Sequence, residues 1–257
     1  PYGMPLNGTA ESVTGITRDN LVEFYEAHFA PERMIVTIVG DVDSDYAIEK
    51  IKKTLGAFKR QSRPLLNPRP EKRPEEIRQV QDSKDKAQTH IALGFIGTTA
   101  TSPDNPAMDV LTEILSSQGG RLFFELRDKL GLAYSVSAMS RPGVDQGLFA
   151  VYIATAPEKK DEAINGILKE LGKILSETVT NEELQRAKSA LIGGYELGLQ
   201  DVMSQASDMA INELLGMGYD HFRRYATEIE GVSQTDILDV ARKYITLDGY
   251  AIAIVGH

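Results

Sequence analysis

The feature that most constrains the fold is a repeat at the two ends of the chain. Residues 15–40 align without a gap with residues 231–256, from Gly15 on Gly231 to the identical run Ile-Val-Gly that ends both copies. A repeat of this kind indicates that one supersecondary unit is used twice. Because the identities are few, a chance likeness between two helix–turn–strand units is the alternative.

Each copy of the repeat predicts a helix followed by a core strand. Thr17 and Ser233 are residues that favour the first, capping position of a helix, and apolar residues then recur at helical spacing. The copies end in β-rich runs, Met34–Val39 and Tyr250–Val255. The second copy follows a full domain's length of chain, whereas only 14 residues precede the first.

A proline-rich stretch divides the chain. Residues 59–75 contain four prolines among many charges, a composition that forms neither a helix nor a central strand. We therefore interpret residues 1–58 as the C-terminal part of a truncated first domain, 59–75 as a linker and 76–257 as a second domain. The basic side chains of this stretch are interpreted as a solvated linker rather than a nucleic-acid arm.

The pattern of residues 76–257 predicts an α+β fold. Strands at 90–97, 134–140 and 147–155 are mixed with amphipathic helices without strict β-α-β alternation. The prediction is a duplicated domain type, a mixed sheet with helices on one face, with only the C-terminal end of a preceding similar domain. Hydrophobic residues make up 42% of the chain, and no apolar run approaches the ~18 residues of a membrane span.

Composition and spacing exclude several chemistries. The chain has no cysteine, so thiolate metal sites and cysteine catalysis are excluded, and its net charge of −9 disfavours nucleic acid as a partner. No two of its four histidines lie three to five residues apart, so no helix presents a two-histidine zinc face. Residues 41–52 resemble a calcium loop but have Tyr46 and Lys52 where Gly and Glu are needed.

One segment, residues 119–136, combines a glycine-broken helix with the start of a strand. Arg127 falls in the last turn of the helix and Tyr134 at the strand start. A reversal of the chain between them would aim a guanidinium and a phenol into one cleft, and both groups donate hydrogen bonds suited to a peptide carbonyl. From the residues alone, ordinary helix-dipole complementation by the arginine and ordinary sheet packing by the tyrosine are the favoured interpretation.

The same segment resembles a known signature. The run Gly-Gly-Arg-Leu-Phe-x-x-Leu-Arg-x-x-x-Gly-Leu-Ala-Tyr-Ser, residues 119–135, is similar to the C-terminal half of pitrilysin/insulinase-type zinc peptidases, which include mitochondrial processing peptidase. The resemblance extends over the chain: residues 1–3 look like the segment after the family's third zinc ligand, and residues 17–43 like the end of its zinc-binding domain.

The resemblance implies a function and a site. It implies the substrate-binding half of a zinc metalloendopeptidase that closes around an extended peptide, with Arg127 and Tyr134 binding substrate. The family's His-x-x-Glu-His motif is absent, so we expect no metal ligand and no catalytic residue in this chain, and we expect zinc in a missing domain or a partner subunit. A homo- or heterodimer is one form that this association could take.

A function of another class is the alternative. Core subunits of respiratory complexes resemble the same family, so the second hypothesis is a non-catalytic partner or scaffold that binds peptides or stabilises an assembly. The parent sequence upstream of residue 1 would discriminate the two. Nothing in the sequence indicates a compartment.

Overall fold

A single mixed sheet organises the C-terminal part of the chain. The structure, a computed structural model, describes residues 5–58 and 71–256. Its strands run in the order β1-β5-β2-β4-β3, with β1 and β5 parallel and all other neighbours antiparallel. Their bounds are β1 Arg78–Ser83, β2 Thr89–Ile96, β3 Ala133–Arg141, β4 Leu148–Thr155 and β5 Ala251–Gly256.

Helices cover one face of this sheet. The helices of the described chain are α1 Ala10–Thr14, α2 Arg18–His28, α3 Ser44–Leu55, α4 Asn105–Ser116, α5 Lys160–Ser176, α6 Asn181–Gly198, α7 Val202–Leu214, α8 Phe222–Gly231 and α9 Gln234–Tyr244, with a π-helix at Phe123–Lys129. Alternate strand residues such as Ile91, Leu93 and Phe149 are buried against α4, α5 and α9. The predicted α+β architecture with helices on one sheet face is confirmed.

The opposite face of the sheet has no helix on it among residues 5–58 and 71–256. Its central positions are small, as at Ala92, Gly94 and Ala253. His90 lies on this face and its Nδ1 is 2.6 Å from the hydroxyl oxygen of Tyr152 on the neighbouring strand. The sheet therefore presents one covered face and one open face.

The helix of each repeat copy forms as predicted, with the same cap. The hydroxyl of Thr17 accepts from the backbone N–H of Asn20, and that of Ser233 accepts from Asp236, and in both cases the third helical side chain reaches back to the cap residue. These are capping boxes, which satisfy two otherwise free N–H groups at a helix start. The strand of the second copy also forms, as β5.

The strand predicted for the first copy does not form. Residues 34–39 make no ladder, because no described strand lies beside them, whereas β5 lies between β1 and β2. A strand needs such a neighbour to bond its N–H and C=O groups. Instead, the Thr37 hydroxyl donates to the carbonyl of Ala206 in α7 at 2.7 Å, so this segment lies against the helical layer.

The N-terminal segment, residues 5–58, leaves its apolar side chains uncovered within the described chain. Phe24, Ile16 and Ile38 are about half exposed, and Ala27 and Ala30 are its buried residues. An apolar face of this extent normally packs against another element. The segment is thus folded into helices but lacks, among the described residues, a layer on its apolar side.

Two predicted regions lie outside the described residues in whole or in part. Residues 1–3 lie wholly outside them, and so do residues 59–70 of the predicted linker at 59–75. The last part of the linker contacts the sheet-bearing part of the chain, where the Arg73 guanidinium donates to the carbonyl of Lys243. No described helix is long and apolar enough to cross a membrane.

Candidate functional site

Arg127 and Tyr134 meet at one corner of the sheet. The Arg127 guanidinium carbon lies 5.2 Å from the centroid of the Tyr134 ring and 4.4 Å from that of Phe123. Cation–π contacts at these distances hold the guanidinium in place while leaving its N–H groups available. Arg127 is half-buried, whereas Tyr134 is 80% exposed, so both side chains can reach a bound molecule.

A widened helix positions Arg127. The predicted second helix after Gly119-Gly120 forms, but Phe123–Lys129 is π-helical, and the N–H of Leu130 donates to the carbonyl of Glu125, five residues back, at 3.2 Å. Such π-turns are rare and occur frequently at functional sites. Gly131, at φ 57°, then reverses the chain, in the left-handed region that favours glycine.

A β-bulge positions Tyr134. Ala133 pairs with Thr155 and Ser135 with the next residue, Ala154, so Tyr134 is an extra residue without a partner across the ladder. A bulge redirects the side chain at the extra position, and bulges are over-represented beside active sites. The Thr155 hydroxyl donates to the carbonyl of Leu132 at 2.6 Å and anchors the chain just before the bulge.

The site opens onto a sheet edge. β3 is the last strand of the sheet order and bonds to β4 on one side. On its other side no described strand pairs with it, so its outer N–H and C=O groups are free for another strand. Arg127 and Tyr134 stand at the start of this edge.

A buried leucine fastens the π-helix to the core. Leu126, adjacent to Arg127, is 1% exposed and packs where α5 carries Gly166. A Cβ atom at position 166 would lie 2.5 Å from a methyl carbon of Leu126, so only glycine admits the leucine as it stands. The position of the arginine therefore depends on a close contact between the π-helix and α5.

An ion pair fastens the other end of the same segment. Arg121 binds Glu183 of α6 with two parallel bonds, Nε to Oε1 at 2.6 Å and Nη2 to Oε2 at 2.9 Å. Glu183 also caps α6, because its carboxylate accepts from the Thr180 N–H. The bonds from Arg121, and then the one from Thr180, lower the pKa of Glu183 to about 2.

This pair predicts an acid-dependent loss of stability. Since the folded-state pKa of Glu183 lies below its ordinary value of 4.5, its contribution is present above pH 4.5 and is lost as the pH falls toward 2. Its side chain is 17% exposed, so Glu183→Gln should lower the free energy of unfolding by about 2 kcal/mol at pH 7.

Urea unfolding at pH 7 and at pH 3 measures this effect. The difference between wild type and Glu183→Gln should shrink at the lower pH. The matched control is Glu182→Gln, which neutralises the exposed neighbouring carboxylate and should change stability by less than about 0.5 kcal/mol. A pH-independent difference would contradict the assignment.

The described histidines are occupied with other contacts. The His28 ring packs on Phe24 with 4.4 Å between centroids, His90 bonds Tyr152, and the Nε2 of His221 is 3.3 Å from Glu228. Among residues 5–58 and 71–256, no group of three or more His, Asp or Glu side chains is placed to hold a metal ion. These described residues therefore do not fit a zinc site.

Sequence reasoning missed three parts of this site. Phe123 stacks on Arg127 one turn away, and the i, i+4 spacing of an aromatic and an arginine was the available signal. The Arg121–Glu183 pair joins residues 62 apart, and the bulge at Tyr134 depends on strand register. Neither of these has a local sequence signal.

Comparison with known proteins identifies relatives. The family model for the peptidase M16 inactive domain matches residues 15–191. An uncharacterized zinc protease of Mycobacterium tuberculosis is 31% identical over 262 residues, covering 100% of this chain and 59% of that protein. The chain thus spans less than two thirds of that relative's length.

Solved structures share the fold. The crystal structure of a peptidase M16 inactive domain from Pseudomonas fluorescens matches 100% of this chain and 61% of its own, with a TM-score of 0.90 and 21% identity. A chain of complex III2 from Candida albicans matches 98% of this chain and 62% of its own, with a TM-score of 0.83 and 17% identity.

These matches confirm the resemblance to the pitrilysin-type zinc peptidases that the Gly-Gly-Arg-Leu-Phe segment indicated. The family model covers more than half of the sequence, including that whole segment. The chain belongs to the family of peptidase M16 inactive domains.

Proposed function

We propose that this chain is the substrate-binding half of a zinc metalloendopeptidase, and that it closes around an extended peptide together with a zinc-bearing domain. The observation that carries the proposal is the placement of Arg127 and Tyr134 at the start of the free edge strand β3. In this proposal residues 1–58 end a first domain, residues 59–75 link it, and residues 76–257 bind the substrate.

The peptide adds to β3 as a further strand. Backbone bonds to the outer edge of β3 hold it without regard to its side chains, which suits an enzyme that accepts different sequences. At the start of the strand, the guanidinium of Arg127 and the phenol of Tyr134 donate to one peptide carbonyl. The same donors stabilise the negative charge that develops on that oxygen when the carbonyl is attacked.

The zinc-bearing domain covers the apolar side of the N-terminal segment. The exposed Phe24, Ile16 and Ile38 support such a contact, because exposure of this extent stabilises an interface once it is buried. The zinc itself would be supplied from outside the described residues, which agrees with the name of the mycobacterial relative, a zinc protease. That relative is longer than this chain, which covers 59% of its length.

A reconstitution assay tests the proposal. The chain is mixed with the zinc-bearing domain or partner subunit, and cleavage of a quenched fluorescent peptide library is followed. We expect cleavage only when both chains and zinc are present, because each chain contributes a different part of the site. Cleavage by this chain alone would contradict the proposal.

A non-catalytic role is the second candidate. The fold likeness to a chain of complex III2 favours it, since the same fold there belongs to a large assembly. Under this reading the mixture binds peptides, or forms a stable complex, and cleaves nothing at any zinc concentration.

A further inference from the structure

A second concave site lies away from Arg127, at the other end of β3. An open pocket of about 620 Å³ is lined by the β2–α4 loop, by Pro142 after β3, by the α7–α8 turn and by α8. Its volume is in the range of small-molecule sites. β3 separates it from Tyr134 by about 26 Å, at 3.3 Å per residue, so the pocket is a separate site.

The floor of this pocket carries a carboxylate without a partner. Asp109 of α4 lines the pocket, and no hydrogen bond or ion pair involving its side chain occurs in the part of the chain that the structure describes. Burial alone raises the pKa of Asp109 to about 6. The side chain is half-buried and is ionised at neutral pH, a state that a bound cation in the pocket would stabilise.

The Arg224 guanidinium in the pocket wall is already paired with carboxylates. The Nη1 of Arg224 is 2.9 Å from the Asp220 carboxylate and its Nε is 3.5 Å from that of Glu228. Glu228 also lies 3.3 Å from His221. One guanidinium thus faces two carboxylates, so this group carries a net negative charge even before the charge of Asp109 is added.

An aromatic wall faces the same space. The Tyr225 ring lines the pocket and is held by a stacked contact with Tyr195, with centroids 4.1 Å apart. Tyr225 and Asp109 line the same pocket, and burial, and then the charges of Asp109 and Glu113, raise the pKa of Tyr225 to about 12. A carboxylate beside an aromatic ring is the pairing that binds planar or ammonium cations.

A neighbouring hollow adds to the negative potential. It shares Pro103, Pro106 and Glu228 with the pocket and is also lined by Asp236 and Asp239. Negative side chains around a concave surface raise the local concentration of cations. The negative potential, the Asp109 carboxylate and the Tyr225 ring therefore all favour a positively charged ligand.

We propose that this pocket binds a guanidinium or primary ammonium group, with Asp109 as the acceptor and the Tyr225 ring as the wall. The group belongs either to a free small cation or to the side chain of an arginine or lysine in a peptide. This site does not depend on the peptidase proposal, because binding here needs neither a zinc-bearing partner nor Arg127.

Calorimetric titration of the whole chain with n-butylguanidinium, and with the uncharged isostere n-butylurea, tests the charge. We expect the cation to bind at least tenfold tighter, the scale of one charge-assisted hydrogen bond. Asp109→Asn keeps the shape of the side chain and should abolish the preference. Equal affinity of wild type for the two compounds would overturn the proposal without relying on any variant.

Peptides identify the source of the group. Acetyl-Gly-Arg-Gly-amide is compared with the citrulline peptide, which replaces the guanidinium by a urea. If the arginine peptide binds more tightly than butylguanidinium, the pocket takes a peptide side chain; if it binds more weakly, the pocket takes a free cation. Either result supports the site, provided that Asp109→Asn abolishes the binding.

The matched control is Glu113→Gln, which neutralises another carboxylate of α4 that does not line the pocket. It should change the affinity for butylguanidinium by less than threefold. If Asp109→Asn leaves the affinity unchanged, or if Glu113→Gln weakens it as much, Asp109 is not the acceptor and the proposal fails.

Discussion

Replacing Arg127 by alanine is expected to lower kcat/KM of the reconstituted two-part peptidase by about 10²-fold or more, the scale of losing one donor to a developing oxyanion. The guanidinium is held by contacts to two aromatic rings, so its removal should leave the backbone in place. Arg127→Lys keeps the charge but loses the planar fork of donors, and we expect it to recover only part of the activity.

Tyr134→Phe should produce a comparable loss, because it removes the phenol hydroxyl and keeps the ring that contacts Arg127. Steady-state kinetics on one fluorescent peptide measures both variants. The matched controls are Arg223→Ala and Tyr219→Phe. They change exposed residues of the same two types in and just before α8. Full activity of Tyr134→Phe would remove the tyrosine from the proposed mechanism.

The largest stability effect is expected where the π-helix meets α5. Leu126→Ala should lower the free energy of unfolding by about 3 kcal/mol, since it empties a fully buried site. Gly166→Ala should also destabilise the chain, because the new methyl group would lie 2.5 Å from Leu126. In the double variant the methyl group occupies space that the leucine has left.

A double-mutant cycle measures this contact. The double variant should lose less free energy of unfolding than the sum of the losses of the two single variants, by at least about 1 kcal/mol. Such non-additivity is expected for residues in contact. Urea unfolding of the four proteins gives the coupling. Gly172→Ala, elsewhere on α5 and with a more distant neighbour at 3.9 Å, is the control and should show no coupling to Leu126→Ala. Strict additivity would mean that the two residues do not determine each other's packing.

Most of the architecture was predictable because its signals are local. The caps at Thr17 and Ser233 and the apolar alternation of residues 91–95 depend on neighbours within a few positions, and both predictions are confirmed. The predicted strand at Met34–Val39 was wrong because the local pattern does not say whether a neighbouring strand exists.

Gly193, Gly194 and Gly198 in the second half of α6 favour either a kink or close packing at that place. The long helix breaks after Gly198, where α6 gives way to α7. However, no described atom lies within 4 Å of where a Cβ would stand on any of the three glycines. Packing inside the described chain therefore does not account for them.

The site itself was predictable only in part. The spacing of Arg127 and Tyr134, together with the resemblance, identified the pair, but not the π-turn and the bulge that orient it. The pocket at Asp109 was invisible in sequence, because its walls come from α4, Pro142 and α8, which are far apart along the chain. Tertiary contacts of this kind have no periodic signature.

The position of β5 has a consequence for how the chain is made. β1 begins at Arg78 and bonds to β5, which begins at Ala251, 173 residues further along the chain. β5 lies between β1 and β2 in the sheet. During synthesis on the ribosome, β2, β3 and β4 can pair before β5 exists, whereas β1 has no strand to pair with until β5 is made. Completing the sheet late, through contacts of such long sequence separation, slows folding and leaves the edge of β2 that β5 covers without its neighbour in the meantime.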